Sequence, residues 1–454
     1  MANKKENQKL NRSLKSRHVM MIAIGGAIGT GLFLGSGSAI KTSGPSIILS
    51  YLVVGIITFF MMRALGELIL SSPDQSSFIS SIRKYLGDRV EFIAGWTYWM
   101  CWLSLAMADL TATGIYLKYW FPDLPQWVGP LVIIFILLLI NRLNVGLFGE
   151  LESWFSMIKV LAIVALIGAG IIMILFHMHV GGNTVSLTNI ISHGGFFPKG
   201  FSGFLTSFQM VIFAFVGIEI VGLTAGETAN PEKDIPKAIN SLPLRIGLFY
   251  IGSMIAIMAV QPWNTIKTTS SPFVQVFSAI GIPAAAGILN FVVLTAAMSA
   301  TNSAIFSTSR SLYALAYSGH APKRLGKVSR HGVPDRALTF SSLILFVIVI
   351  LNYIMPGKIF DLVSTVSTIN FIMVWLIIMW CHLKYRKENK DNLGQFQLPG
   401  APFTDWLTII FYLAILVILF MIPATRIPLV LSLIFIICLA IIFNFVKKSV
   451  NLKK

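Results

Sequence analysis

Apolar runs long enough to cross a membrane recur along the whole of this 454-residue chain, and they are what most restricts its possible folds. About 20 apolar residues are enough for one helical crossing of a bilayer. Hydrophobic residues make up 56% of the chain and charged residues only 12%, about half the charged fraction of a soluble domain. The runs predict twelve membrane-spanning helices, at 18–39, 46–70, 92–117, 128–146, 154–176, 201–224, 244–262, 274–304, 338–355, 359–381, 404–422 and 427–446. The predicted fold class is an all-α polytopic membrane protein.

The basic residues are distributed unevenly between the two sides of the membrane. If the N-terminus is cytoplasmic, the outward-facing ones are only Lys41, Lys118, Lys199, Lys267, Lys358 and Arg426. This positive-inside pattern predicts a multi-pass cell-membrane protein with both termini in the cytoplasm. The predicted parts are a basic cytoplasmic tail (1–17), a ten-helix core (18–381), a cytoplasmic loop (382–403), two further helices (404–446) and a cytoplasmic tail (447–454).

Several classes of function are disfavoured by composition and spacing. The net charge of +17 is spread over many loops, which indicates contact with the lipid bilayer and argues against nucleic acid as a partner. The three cysteines and seven histidines show no metal-ligand spacing within the predicted membrane segments, and the histidines are predicted to lie in tails, loops or helix ends. There is no phosphate-binding loop and no catalytic cluster. We therefore expect no enzyme activity, no cofactor, no metal and no obligatory protein partner.

Glycine is concentrated in the middle of the first apolar segment, where residues 25–31 read GGAIGTG. Each glycine costs a helix about 1 kcal/mol relative to alanine, so this run predicts a break at membrane depth. Gly217, two residues before Glu219, predicts a second break in the sixth segment. Interrupted helices in corresponding positions of two five-helix halves indicate a transporter with an inverted repeat. The alternative is that the glycines only allow close helix packing, for which Gly25 and Gly29 have the right spacing.

Broken helices expose backbone groups that can bind the charged ends of a small zwitterion. Amide N–H groups at the start of a helix attract a carboxylate, and freed carbonyl groups can accept from an ammonium group. Phe213 is also a candidate gate beside the second break. The predicted substrate-binding residues are Ala27, Gly29, Thr30, Gly31, Phe213 and Val216.

Few ionisable residues lie deep inside the predicted membrane segments. Asp109, Lys159 and Glu219 are there, and each is costly unless it is paired or faces a cavity. We predict that they form a buried cluster and couple transport to a proton, with Lys159 the leading candidate. The alternative is a static network of ion pairs. Arg63 and Glu67 are predicted to be structural or gating residues at the inner end of the second segment.

These motifs resemble the amino acid–polyamine–organocation superfamily, and within it the amino acid transporter family of bacterial permeases. The resemblance extends over nearly the whole chain and is carried by residues 24–33, 43–73, 148–159 and 215–219. Further stretches are similar to the D-serine/D-alanine/glycine transporter branch, at 95–99, 106–109, 231–241, 271–273 and 288–295. The resemblance implies a LeuT-like fold with broken helices 1 and 6. It also implies proton-coupled import of D- and L-alanine, D- and L-serine and glycine, with Lys159 at the place of a sodium ion in sodium-coupled relatives.

Two alternatives remain open at this point. The same fold could carry another amino acid, such as γ-aminobutyrate, proline, an aromatic or a basic amino acid, or it could act as an exchanger. More remotely, the protein could bind an amino acid as a sensor without transporting it, although its short tails argue against this.

Overall fold

A computed structural model describes residues 20–21, 28–71, 78–143, 145–180, 182–224, 228, 230–281, 283–329 and 333–451, and these residues are mostly helical. In the first part of the chain the α-helices are α1 (Ser36–Ser43), α2 (Ile47–Leu70), α3 (Phe78–Leu86), α4 (Asp88–Leu117), α5 (Val128–Leu143), α6 (Val145–Leu175), α7 (Gly200–Phe215) and α8 (Ile220–Thr224). They are followed by α9 (Pro231–Asn240), α10 (Leu242–Arg245), α11 (Ser253–Val260), α12 (Pro272–Ala279), α13 (Pro283–Tyr317), α14 (Asp335–Ile354), α15 (Ile359–Glu388), α16 (Phe403–Met421) and α17 (Pro423–Asn451).

The other described elements are short. Gly31–Gly35 and Ile246–Gly252 are π-helical, and single 3₁₀ turns lie at Gly44–Ser46, Leu187–Ile190, Trp263–Thr265 and Lys323–Gly326. The strands β1 (His179–Val180) and β2 (Asn183–Thr184) form an antiparallel hairpin in the loop between α6 and α7.

The number of described helices that can cross a membrane agrees with the sequence prediction. Ten of them are long and apolar enough, and Val128–Asn141 is a shorter apolar helix. The first of the ten, Gly31–Leu70, has 40 residues and would be about 60 Å long, twice the thickness of the hydrocarbon core. It turns at Gly44, where the φ of 63° suits glycine and Pro45 follows. This span therefore contains the first two predicted segments, and the polytopic helical fold is confirmed.

Three helical regions begin or end at other residues than the apolar runs predicted. The predicted segment 274–304 is divided between α12 and α13 at Gly281, whose φ is 81°, and α13 then continues to Tyr317. Before α11, helical structure begins at Pro231 rather than at 244. The third, α15, continues seven residues past the predicted end at 381. The end of an apolar run indicates where the chain leaves the lipid. A helix ends where its backbone is capped or broken, so the end of the apolar run and the end of the helix can differ.

The first and sixth predicted segments lie side by side in the bundle. The helix α7 packs against the π-helical Gly31–Gly35 stretch, α1 and α2, and also against α15. On the other side of the core, α4 packs extensively against α13 and α15. This packing places the two glycine-containing breaks next to each other.

Candidate functional site

The sixth segment loses its helical winding over four residues. The helix α7 ends at Phe215, Val216 is extended with φ −60° and ψ 138°, and α8 begins only at Ile220. Gly217 has a φ of 96°, a conformation that side chains with a Cβ rarely adopt. Within the break, the Val216 N–H donates to the Phe213 carbonyl at 3.2 Å. The predicted second break is confirmed.

The first segment is irregular at the predicted place. Ile28 and Gly29 form bends, and regular winding starts at Thr30. The Gly29 carbonyl accepts from the N–H groups of Leu32 and Phe33, both at 3.2 Å. The following residues, Gly31–Gly35, are π-helical, a form that is frequent at functional sites. Ala27, one of the predicted substrate-binding residues, lies outside the described residues.

Gly31 is the residue at which the first segment comes closest to the backbone of α7. A Cβ atom on Gly31 would lie 2.6 Å from the Ala214 Cα and 3.0 Å from the Phe213 carbonyl oxygen. Gly31, just after the first break, therefore lets the two segments approach closely through their backbones, which is a packing role in addition to the predicted break. The Tyr250 hydroxyl supports the contact by donating to the Ala214 carbonyl at 2.9 Å.

Asp109 is a residue of α4, and its side chain contacts Thr30, where the first segment becomes helical after its break. Its Oδ1 accepts a hydrogen bond from Thr30 Oγ1 at 2.6 Å, and the backbone N–H of Thr30 also faces the carboxylate. The side chain is completely buried. A helix start favours an anion through its free N–H groups and its dipole. A substrate carboxylate would therefore share Thr30 with Asp109, or use the neighbouring N–H groups of Gly29 and Gly31.

Lys159 of α6 is buried against α13. Its Nζ donates to Ser299 Oγ at 3.0 Å, and Ser299 Oγ donates in turn to Glu152 Oε2 at 2.8 Å. The Nζ lies 3.9 Å from Glu152 Oε1, and its charge also interacts with that of Asp109. Sequence reasoning missed Glu152 and Ser299. Glu152 had a usable signal, because seven residues make about two helical turns and place it on the same face as Lys159.

Glu219 lies apart from these charges, in an aromatic environment. It is completely buried, and no basic side chain among the described residues comes within 4 Å of its carboxylate. The Trp375 indole faces the carboxylate, and the hydroxyls of Tyr98 and Tyr412 lie within electrostatic range. The three predicted proton-coupling residues thus fall into two groups: Asp109 with Lys159, and Glu219 beside Trp375.

The Phe213 ring, the candidate gate, has an aromatic partner on α15. It is buried and meets Phe360, at the start of α15, edge to face with ring centroids 6.0 Å apart. A gate built from Phe213 would therefore move against α15.

A separate buried charge cluster, which we call the Glu67 cluster, ties α2 to α15, α16 and the loop before α16. The Arg386 Nη2 donates to Glu67 Oε2 at 2.8 Å, and Arg386 Nε lies 2.7 Å from Oε1. The His382 ring lies between two carboxylates, with Nδ1 2.6 Å from Asp405 Oδ1 and Nε2 3.0 Å from Glu67 Oε2. The Leu398 N–H also donates to Glu67 Oε2, at 2.6 Å.

The position of His382 corrects one sequence expectation. Histidines were predicted in tails, loops or helix ends, but His382 lies inside α15 and is completely buried. The expectation failed because the helix does not end where the apolar run ends. Arg63 is nearby and is structural in character: it donates to Asn240 Oδ1 at 2.8 Å and stacks on Phe396 at 3.8 Å.

We expect Glu67→Gln to destabilise the protein, because it leaves the half-buried Arg386 and the buried His382 facing a neutral amide. Removing one member of a buried ion pair costs about 3–5 kcal/mol. The apparent melting temperature of the purified protein in detergent, followed by tryptophan fluorescence, should fall clearly below that of the wild type. Glu388→Gln, on an exposed residue of α15, is the matched control and should melt like the wild type. An unchanged melting temperature for Glu67→Gln would contradict this role.

One surface cavity of about 560 Å³ lies away from the two breaks. It opens between the end of α3, the start of α4 and the outer face of α15, and it is lined by Leu86, Val90, Leu376, Ile377, Trp380 and Lys384. None of the predicted substrate-binding residues lines it. This groove is therefore not the candidate substrate site.

Two adjacent interrupted helices and buried charges in a bundle of apolar helices define a multi-pass membrane transporter, not an enzyme. The chain belongs to the amino acid permease family, whose model matches residues 18–454. The fold expected from the resemblance to the amino acid–polyamine–organocation superfamily is thereby confirmed, and an amino acid is the class of molecule that the family carries.

Curated relatives carry several substrate names. The chain is 54% identical over 441 residues to the amino-acid permease AapA of Bacillus subtilis, covering 97% of this chain and 96% of the relative. It is 45% identical over 455 residues to the D-serine/D-alanine/glycine transporter of Escherichia coli, covering 98% and 97%. It is also 44% identical over 414 residues to the L-asparagine permease of Salmonella typhimurium, covering 90% and 83%. Similar overall identity to relatives with different substrates means that identity alone does not specify the substrate.

Proposed function

We propose that this protein imports small neutral amino acids, namely D- and L-alanine, D- and L-serine and glycine, together with a proton. The observation that carries the proposal is the close backbone approach of Gly31, just after the first break, to Ala214, in the last turn of α7 before the second break. This approach brings a helix start, which attracts a carboxylate, close to the end of α7 and the unwound residues after it, whose carbonyl groups attract an ammonium group. The two halves of an amino acid backbone fit these two ends.

In this proposal the backbone binds the part that all amino acids share. The N–H groups of Gly29, Thr30 and Gly31 hold the carboxylate, and the carbonyls of Ala27, Phe213 and Val216 hold the ammonium group. The close approach at Gly31 leaves little room beside the breaks, which favours a small side chain. The name of the Escherichia coli relative, at 45% identity, supports the same choice of substrate.

Proton coupling is assigned to Asp109, Lys159 and Glu219. Each is completely or almost completely buried, where a charge is costly, so each has a reason to gain or lose a proton as access alternates. Asp109 connects the proton to the substrate, because it is hydrogen-bonded to Thr30 at the first break. Alternating access would come from movement of the two broken helices relative to α4, α6 and α13.

We also propose that the protein lies in the cell membrane with both termini in the cytoplasm. The support is the distribution of lysine and arginine, because only six of the 35 face outward in this orientation and Lys159 lies inside the bilayer. Cysteine-accessibility labelling at Lys358→Cys from the outside, against Lys387→Cys from the inside, checks the orientation.

Uptake into proteoliposomes tests the coupling. With the lumen one pH unit more alkaline than the outside, labelled alanine should accumulate up to about tenfold, and a protonophore should abolish the accumulation. Saturable uptake that ignores the pH gradient would remove proton coupling from the proposal. Saturable binding without any uptake would point to the sensor alternative instead.

Competition against labelled serine tests the choice of substrate. Unlabelled D- and L-alanine, D-serine and glycine should compete at similar concentrations, whereas asparagine, γ-aminobutyrate, proline, phenylalanine and lysine should not. Asparagine is the most informative competitor in this panel, because one relative is named an L-asparagine permease. Stronger competition by asparagine than by alanine would replace the proposed substrates and leave the transport mechanism intact.

A further inference from the structure

Glu152 is a buried carboxylate to which the proposed transport cycle gives no part. It lies on α6 two turns before Lys159, and both residues are 1% exposed. A carboxylate at this depth is costly unless a cation and hydrogen bonds compensate it. Its neighbours therefore indicate what it does.

Ser299 joins the two charged groups. Its hydroxyl oxygen accepts from Lys159 Nζ at 3.0 Å, and its single hydroxyl proton is donated to Glu152 Oε2 at 2.8 Å. A serine hydroxyl can donate only one hydrogen bond, so this arrangement has a direction: donor at the lysine, acceptor at the glutamate. Ser299 is itself completely buried on α13. The bridge thus holds Lys159 of α6 against α13.

The carboxylates of two residues on different helices interact with the charge of Lys159. Glu152 lies on the same helix, and Asp109 lies on α4, where it is held by Thr30 at the first break. Glu152 and Asp109 are the charged groups that act on Lys159 among the described residues. Tyr250, on the π-helical stretch packed on α6, donates instead to the Ala214 carbonyl. One ammonium group facing two carboxylates carries a net charge of −1 when all three are ionised, so one further proton makes the group neutral.

We propose that Glu152, acting through Ser299, is a positioning residue that holds the Lys159 ammonium group against α13 and sets the pH range in which transport operates. The inference rests on the proposed proton coupling and adds two residues to it. In this arrangement Lys159 keeps a partner when Asp109 takes up a proton and the first break moves. Without Glu152, Asp109 would be the carboxylate left acting on Lys159 among the described residues.

The test is the pH dependence of alanine uptake in proteoliposomes at a fixed pH gradient. Glu152→Gln keeps the shape and removes the charge. Loss of a negative neighbour makes the ammonium form of Lys159 harder to maintain, so the alkaline limb of the uptake profile should move to lower pH by about one unit or more. Ser299→Ala removes the bridge but leaves the charge, and it should move the limb in the same direction by a smaller amount.

Ser303→Ala is the matched control. Ser303 lies one turn further along α13, is also buried, and its hydroxyl has no hydrogen-bond partner among the described residues. Its pH profile should equal that of the wild type. A merely structural role of Glu152 would lower the amount of folded protein or the maximal rate at every pH without moving the limb.

The outcomes separate this inference from the proposed function. If the wild type takes up alanine independently of the pH gradient, the coupling itself is wrong. If the wild type is coupled but Glu152→Gln or Ser299→Ala keeps its pH profile, only the role of Glu152 is wrong. If Glu152→Gln does not fold, Ser299→Ala alone decides the matter.

Discussion

Lys159→Ala is expected to leave the protein in the membrane and to abolish concentrative uptake. The substitution removes the ammonium group that donates to Ser299 and interacts with the charges of Glu152 and Asp109. In the proposed mechanism Lys159 is the group between these carboxylates whose charge changes, so without it the proton gradient would no longer drive uptake. At one pH unit, the accumulation ratio of labelled alanine should fall from about ten to about one.

The same preparation provides the controls for Lys159→Ala. Lys358→Ala, at an exposed lysine before α15, should accumulate substrate like the wild type. Exchange of external label for preloaded alanine should persist in Lys159→Ala, because the backbone binding groups are intact. Wild-type accumulation by this variant would refute the assignment of Lys159 to coupling.

Gly31→Ala is expected to reduce the uptake rate at least about tenfold. The added Cβ would lie 2.6 Å from the Ala214 Cα and 2.9 Å from the Ala214 nitrogen, both backbone atoms that cannot rotate away. The two broken segments would have to separate, and overpacking of this kind costs about 1–3 kcal/mol. In the proposed site the binding groups of the two breaks face the same substrate, so their separation should raise the KM for alanine as well as lower the rate.

Gly168→Ala provides a matched control for Gly31→Ala. Gly168 is inside α6, and a Cβ there meets nothing within 4 Å. Alanine in a helix interior is favoured over glycine by about 0.5–1 kcal/mol, so this variant should transport normally and be no less stable. If Gly31→Ala and Gly168→Ala have the same KM and rate as the wild type, the breaks do not form the substrate site.

Local features of the structure were predictable from the sequence. The apolar runs located the membrane segments, and the glycines marked where the first and sixth lose their winding. Both signals are local: a run of 20 apolar residues spans a bilayer whatever its neighbours are, and Gly217 adopts its φ of 96° because it has no Cβ. Helix ends were less predictable, as α13 and α15 show, because polar turns continue beyond the lipid.

Contacts between segments were not predictable. Thr30 and Asp109 are 79 residues apart, and Lys159 and Ser299 are 140 residues apart. Glu67 and Arg386 are hydrogen-bonded although they are 319 residues apart in the sequence, and His382 Nε2 lies 3.0 Å from Glu67 Oε2. The prediction placed Asp109, Lys159 and Glu219 in one cluster, whereas the structure separates Glu219 from the other two. The spacing of residues within one helix does not predict which face a helix distant in sequence turns toward it.

The sequence by itself determined that this chain crosses a membrane many times, where two of its helices break, and that Asp109, Lys159 and Glu219 lie inside. Only the tertiary structure decided that the segments beside the two breaks approach closely at Gly31 and Ala214, that Asp109 accepts from Thr30, and that Glu152 reaches Lys159 through Ser299. The physical reason is that a helix in lipid satisfies its backbone hydrogen bonds within itself, so its position is a local property. Its rotation is set by close packing and side-chain hydrogen bonds between helices, because lipid and protein interior are both apolar and hydropathy does not distinguish the two faces.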